Sequence, residues 1–330
     1  MEHKNGAFVI SLDFELHWGI FDVKSINEYK ENLDHTRQAI HMILQLSEKY
    51  NIRLTFSTVG ILFAKDKDEL NLFLPEKQPT YTQKKMNPYL LVKHIGDNEV
   101  EDPYHYAQDI IKKIAANTQH EIGTHTFGHY YCCEAGQTKE QFHADLKSAN
   151  KIATYLNIPI KSIVFPRNQV NEQYLEICSE NGITSYRGTE KAFVYNPNSS
   201  NQKVRMPEIF KKGLRLLDSY INIFGFCTYP LYTLKTEKNK CINLPSSQFL
   251  RPFNKKLYFF ESLKIRRIKK GMSYAAKKNH LYHLWWHPHN FGANLKQNIT
   301  NLETIFKHYQ KLNTNYGFES NTMTSLTKKI

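Results

Sequence analysis

Apolar residues recur along this chain at two alternating spacings. Ala7 to Leu12, AFVISL, is an apolar-rich run after Gly6 that ends on Asp13 and Glu15, which predicts a short buried strand. From about Glu28 to Tyr50, Leu33, Ile40, Ile43, Leu44 and Leu46 fall at helical spacing and predict a helix. Arg53 to Thr58, RLTFST, predicts a second strand, closed by Gly60. The order then returns. Helices are predicted over Tyr106 to Ala116, Lys139 to Leu156 and Glu172 to Glu180, the last stopped by Asn181-Gly182. Strands are predicted over Glu121 to Thr124, Ile160 to Phe165 and Ile183 to Arg187.

Strands alternating with helices imply an α/β fold on a parallel sheet, doubly wound or closed as a barrel. Such folds gather their sites at the C-terminal ends of the strands. Asp13, Glu15, His125, Arg167 and His287 all fall just after predicted strands. Two stretches break the rhythm, about 65–104 and about 195–280, and are read as insertions on one domain spanning 1–330. The second holds Arg251 to His280, dense in Lys and Arg, with Glu261 as its one acid.

The 330 residues are 41% hydrophobic and 23% charged, which excludes a disordered or collagen-like chain. No run of about 18 apolar residues predicts a membrane-spanning helix. The N-terminus lacks the pattern of a signal peptide, and five cysteines without zinc-ligand spacing fit reduced thiols, so a cytoplasmic setting is expected. A net charge of +13 points to an anionic partner without choosing one. No nucleic-acid motif accompanies it, so nucleic acid is not expected.

Four local patterns carry chemistry. His125-Thr126-Phe127-Gly128-His129 sets two imidazoles four apart, a spacing that on one helical turn brings both onto one metal ion. Two ordinary histidines are an equal reading of the spacing alone. In Ser11-Leu12-Asp13-Phe14-Glu15, strand alternation points both acids to one side, where a cation or a shared proton relieves their repulsion. His283-Leu284-Trp285-Trp286-His287-Pro288-His289 joins aromatic and ionisable residues, as suits sugar stacking or acid/base work; a buried aromatic strand is the plainer alternative. In Phe165-Pro166-Arg167-Asn168-Gln169, Arg167 has the fork to orient a carboxylate, though a surface Arg after a strand is commoner.

Taken together, SLDFE, EIGTHTFGH, FPRNQ and Leu284 to His287 resemble the motifs of the polysaccharide deacetylase family, carbohydrate esterase family 4, in their order along the chain. The resemblance covers about Ala7 to Arg187 and His280 onward. It departs in the acids being separated by Phe14, in Pro166 preceding Arg167, and in the lack of a matched fourth motif. It implies a distorted (β/α) barrel with one divalent metal, most often zinc. It also implies Glu15, His125 and His129 as metal ligands, with Asp13 and Glu15 open to exchange. Asp13 would be the base, oriented by Arg167, and His287 the acid, with His289 as its rival. Trp285, Trp286 and His289 would meet substrate, only one of the two tryptophans facing the site. The implied activity removes N-acetyl groups from an amino sugar of a surface glycan or of its precursor, a lipid-linked one included. The rivals are a non-catalytic glycan-binding or scaffold protein on the same fold, and an amidohydrolase acting on a small amide. Lys255 to Lys278, with Leu257, Tyr258, Phe259, Phe260, Leu263 and Ile265, offers peripheral contact with an anionic membrane; a basic helix with its apolar side on the barrel is the alternative.

Overall fold

The computed structural model describes residues 5–195, 207–234 and 240–330. Among the described residues ten strands form one sheet: β1 (Ala7–Phe14), β2 (Thr55–Thr58), β3 (Glu121–Thr124), β4 (Ser162–Ile163), β5 (Ser185–Tyr186), β6 (Tyr229–Pro230), β7 (Ile242–Asn243), β8 (Gln248–Phe249), β9 (His280–Trp286) and β10 (Glu319–Asn321). The helices are α1 (Lys30–Asp34), α2 (Thr36–Lys49), α3 (Lys67–Phe73), α4 (Gln108–Ala116), α5 (Lys139–Tyr155), α6 (Leu175–Glu180), α7 (Glu208–Asp218), α8 (Glu261–Lys278), α9 (Leu295–Tyr316) and α10 (Met323–Thr327).

β9, β1, β2, β3, β4, β5 and β7 lie side by side and parallel. One short segment then closes the ring. Ile242 pairs with Ser185 of β5, and the Leu244 and Ser246 amides donate to the Tyr186 and Gly188 carbonyls. Ser247 crosses to the His283 carbonyl, and Gln248–Phe249 pair in parallel with β9. The result is the distorted barrel the resemblance implies. The stretch read as an insertion from about residue 195 therefore supplies barrel wall from Tyr229 onward. β6 adds to it, antiparallel to β9.

β1 is buried along its whole length, so it reads as a continuous apolar run rather than an alternating one. It runs to Phe14, two residues past the predicted end. The helix predicted over 28–50 divides at His35 into α1 and α2. Gly182, at φ +79, supplies the left-handed turn after α6 that Asn181-Gly182 predicts. α8 lays Ile265, Ile268, Met272 and Ala275 inward, so most of the basic stretch is a helix packed on the barrel.

Candidate active site

β1 delivers two acids to the C-terminal end of the sheet. Asp13 lies opposite Ser57 near the end of the ladder, and Glu15 follows the last strand residue. Leu16, at φ 47, turns the chain sharply there. Gly19 leaves room for the result, because a Cβ at that position would overlap the Glu15 carboxylate. Both acids are 3% exposed, so neither can rely on water to support its charge.

The histidine pair is not on a helical turn. β3 ends at Thr124, and Thr126 and His129 both take left-handed backbone angles, φ 62 and 56. The loop is held by buried Asp145 of α5, whose carboxylate accepts from the Phe127 amide at 2.6 Å and the Gly128 amide at 3.0 Å. The Tyr89 hydroxyl donates to the same carboxylate at 2.5 Å, so 65–104 braces this loop. Burial pushes the Asp145 pKa up to about 6, against those three hydrogen bonds. Asp145→Asn places an NH2 group against donors the carboxylate now serves. It is expected to cost about 1–3 kcal/mol of stability and to weaken zinc binding by the pair about tenfold. Thermal unfolding and a zinc titration check both.

The loop brings His125 and His129 to Glu15. Their Nε2 atoms lie 3.2 and 3.1 Å from Glu15 Oε2, and one ligand atom from each residue falls within 4.8 Å of the others. His125 Nδ1 donates to the Val164 carbonyl at 2.8 Å, which leaves the Nε2 lone pair of the neutral ring facing a carboxylate oxygen. Two lone pairs that close repel unless a proton or a cation lies between them. Two imidazoles and a carboxylate are also a donor set of catalytic zinc sites. The group therefore fits a divalent cation. Burial works to raise the Glu15 pKa, but His287 and the adjoining His125 and His129 rings hold it well below the ordinary range. Burial lowers the His129 pKa, and the bond to Glu15 only partly offsets this.

Asp13 has a different partner from the one expected. Arg187, fully buried at the end of β5, grips it with both prongs, at 2.7 Å to Oδ1 and 2.8 Å to Oδ2. Ser11 Oγ at 2.9 Å, Asn168 Oδ1 at 2.9 Å and the Trp285 ring at 4.1 Å complete the guanidinium's surroundings. Burial works to raise the Asp13 pKa, and Arg187 and then His125 overcome it, so the carboxyl sits below its ordinary value. Arg167 points elsewhere: it pairs with the buried carboxylate of Asp22 and stacks over Tyr131 at 4.1 Å. Tyr131 lies 3.2 Å from His129 Nδ1, so Arg167 reaches the site only through Tyr131. In FPRNQ it is Asn168, not Arg167, that touches the Asp13 pair.

His287 stands between the acids, Nε2 3.5 Å from Glu15 Oε1 and 3.7 Å from Asp13 Oδ2. His289 stacks behind it, buried, with Nε2 3.9 Å from Glu15 Oε1, and burial pushes its pKa down to about 3. It is thus a neutral ring in the site floor, poorly placed to meet substrate or donate a proton. Trp285 faces the site, half-buried, against Phe249 and Arg187. Trp286 points the other way, fully buried on Phe291, so the substrate role expected for it does not hold.

Residues 32–186 match the family model described as polysaccharide deacetylase. No curated protein matches the chain. Among solved structures, a protein assigned as a polysaccharide deacetylase from Mycobacterium smegmatis superposes with TM-score 0.60 at 11% identity, over 100% of this chain and 91% of that one. One so assigned from Pseudomonas aeruginosa PAO1 gives 0.54 at 10%, over 98% and 89%. The Puue allantoinase gives 0.53 at 10%, over 98% and 88%. At these identities the superpositions speak for the fold alone, and the likeness to the polysaccharide deacetylase family model extends over residues 32–186.

Proposed function

We propose that this protein is a metal-dependent hydrolase that removes the N-acetyl group from an amino sugar. The observation that carries the reading is a convergence at one end of the barrel: the Glu15, His125 and His129 group, the Asp13–Arg187 pair, and His287 between the two acids. A divalent cation, zinc by its donor set, would be held by Glu15, His125 and His129 and would supply Lewis acidity to the acetamide carbonyl and the attacking water.

The chain's own groups do the rest. Asp13 takes the proton of the attacking water, and Arg187 keeps it ionised and fixes its plane. His287 gives its Nε2 proton to the leaving nitrogen as the C–N bond breaks, yielding acetate and a free amine. The Tyr29 hydroxyl donates to Asn290 Oδ1 at 2.6 Å, turning the amide NH2 toward His287 Nδ1 at 3.3 Å, so the neutral ring carries its proton on Nε2, toward the acids. In the imidazolium that acts as acid, Nδ1 is also protonated. Asn290 then presents its oxygen instead, with the Tyr29 hydroxyl as acceptor. Burial and Glu15 raise the Tyr29 pKa, so this hydroxyl stays neutral.

The substrate class is supported by Trp285 at the site and by a groove of about 600 Å³ whose lining includes Asn168, which touches Arg187, with Asn171, Gln173, Tyr186, Thr189 and Asn243. Amides and hydroxyls beside an aromatic face suit sugar hydroxyls and ring C–H groups. None of the five cysteines is in a disulfide, which is compatible with a reducing compartment, where a glycan precursor would be the substrate.

The test measures metal content by plasma mass spectrometry and acetate release from N-acetylglucosamine oligomers, in the wild type and in the H125A/H129A double variant. About one zinc-like ion per chain, lost together with acetate release in the variant, is the expected result. Sugar binding without metal or acetate release would favour the glycan-binding alternative. Release from simple acetamides but not from sugars would favour the small-amide one.

A further inference from the structure

α7 lies on the body upside down. Its sequence, EIFKKGLRLLD, gathers Ile209, Phe210, Leu214, Leu216 and Leu217 on one side and Lys211, Arg215 and Asp218 on the other. The polar side faces the protein. Asp218 is buried, accepts from Arg267 at 2.6 Å, the Tyr195 hydroxyl at 2.8 Å and the Ile223 and Phe224 amides, and so fixes the helix end. Arg215 donates to the Val194 carbonyl. The apolar side faces outward, with Ile209 76%, Phe210 64% and Leu217 53% exposed. Among the described residues nothing buries that outward side, so an apolar face that burial would stabilise is left in water.

A second exposed apolar segment meets it. Tyr220, just past α7, packs edge-on against Phe260 at 6.3 Å. Beside Phe260, Phe259 is 85% and Tyr258 60% exposed. Among the described side chains, the exposed charges in these two segments and the start of α8 include Lys212, Lys255, Lys256 and Arg266. Asp218 is spent on Arg267 and Glu261 on Lys264, both buried, and Glu208 is the first residue of α7. The face also leads to the active site. Arg251 lies over Phe249, which in turn packs against Trp285 and His287.

From this geometry we propose that the face formed by α7 and Tyr258–Phe260 docks on an anionic membrane surface, with its aromatic and aliphatic side chains in the headgroup layer. An exposed apolar face rimmed by lysine is the pattern of an interfacial membrane contact. A second copy of this chain is the poorer occupant, because it would bring the same lysines against these. Among the described residues no helix is long and apolar enough to cross a membrane, so the contact is peripheral. Resting on the deacetylase reading, it further implies that the N-acetyl sugar is carried on a lipid anchor and enters along Phe249.

The test is sedimentation with vesicles of phosphatidylcholine alone, or of phosphatidylcholine and phosphatidylglycerol in equal parts. The wild type is expected to partition onto the anionic vesicles and not the neutral ones. F259S/F260S and K255E/K256E should each weaken that partition about tenfold or more without lowering the thermal midpoint. H125A/H129A should bind vesicles as the wild type does, which separates docking from the chemistry. Equal binding to both vesicle types, or wild-type binding by both surface variants, overturns the proposal. So does a wild-type dimer in sedimentation velocity that F259S/F260S splits. N-acetylglucosamine coupled to a lipid in anionic vesicles should release acetate at least about tenfold faster than the free sugar, and F259S/F260S should abolish that preference while leaving free-sugar turnover unchanged. Acetate from neither sugar, with docking intact, would count against the deacetylase reading alone.

Discussion

Arg187→Met is expected to lower kcat/KM by about 10³-fold and to destabilise the protein by about 3–5 kcal/mol, although the residue has no exposed surface. The guanidinium is held on both carboxylate oxygens of Asp13, and both partners are buried. Removing one partner of a buried pair leaves the other charge without compensation, which is the costly case. Asp13 would then be governed by burial, which already acts to raise its pKa and is now overcome mainly by Arg187. The sign of the pH dependence follows. In the wild type, the folded pKa lies below the unfolded value of about 3.9, so Asp13 contributes stability above that pH and loses it as the pH falls through the folded value. In the variant the folded pKa rises above the unfolded one, and stability falls as the pH increases through that window. The acid limb of the kcat/KM profile should move upward with it, because the base is protonated over a wider range. Arg187→Lys keeps the charge without the two-pronged grip, and should recover most of the stability but little of the rate. Urea unfolding and pH–rate profiles of the three proteins check this. A Met variant with unchanged stability and an unmoved acid limb would rule out the pair as the base and its holder.

The exchange of Arg167 for Arg187 shows what a linear reading can and cannot reach. Both arginines follow short strands in the sequence. β5 is four places from β1 in the sheet order, yet barrel closure through Ile242–Phe249 carries its end across to Asp13. That closure rests on strands of two residues each, too short to leave a periodic signal. Arg167, at φ 55, is turned to Asp22 instead. The signal at hand was local: the strand predicted over Ile183 to Arg187 ends on a cation, and β5 itself stops at Tyr186, so Arg187 holds a strand-end position like those of Asp13 and His125. The acids and the histidines were legible because each lies within a few residues of a long buried strand or a tight loop. The loop's shape was not, because its amides are satisfied by Asp145 from a helix some 17 residues on rather than by the i→i−4 carbonyls that the spacing implies. Of the adjacent tryptophans, strand alternation required one to face the site, and only packing against Phe291 decided that Trp286 was the other.

Asp13 and Glu15 should separate cleanly when each is changed in turn. Glu15→Gln is expected to abolish both bound metal and acetate release, and Asp13→Asn to keep the metal while losing about 10³-fold in kcat/KM. The asymmetry lies in their neighbours. Glu15 Oε2 sits within 3.2 Å of both histidine Nε2 atoms, so its oxygen completes a set of three donors. Both oxygens of Asp13 are already engaged by Arg187, and its Oδ2 lies 3.7 Å from His287, on the side where the leaving nitrogen must take its proton. An amide at position 15 still offers an oxygen but no charge, so excess zinc should restore part of the occupancy; at position 13 excess zinc should restore nothing, because what is missing is a proton acceptor. Metal content at several zinc concentrations, read beside acetate release on the same samples, makes the distinction. Should Asp13→Asn lose the metal while Glu15→Gln keeps it, the two acids have exchanged roles. Should both retain metal and turnover, the proton leaves the attacking water by a route that uses neither.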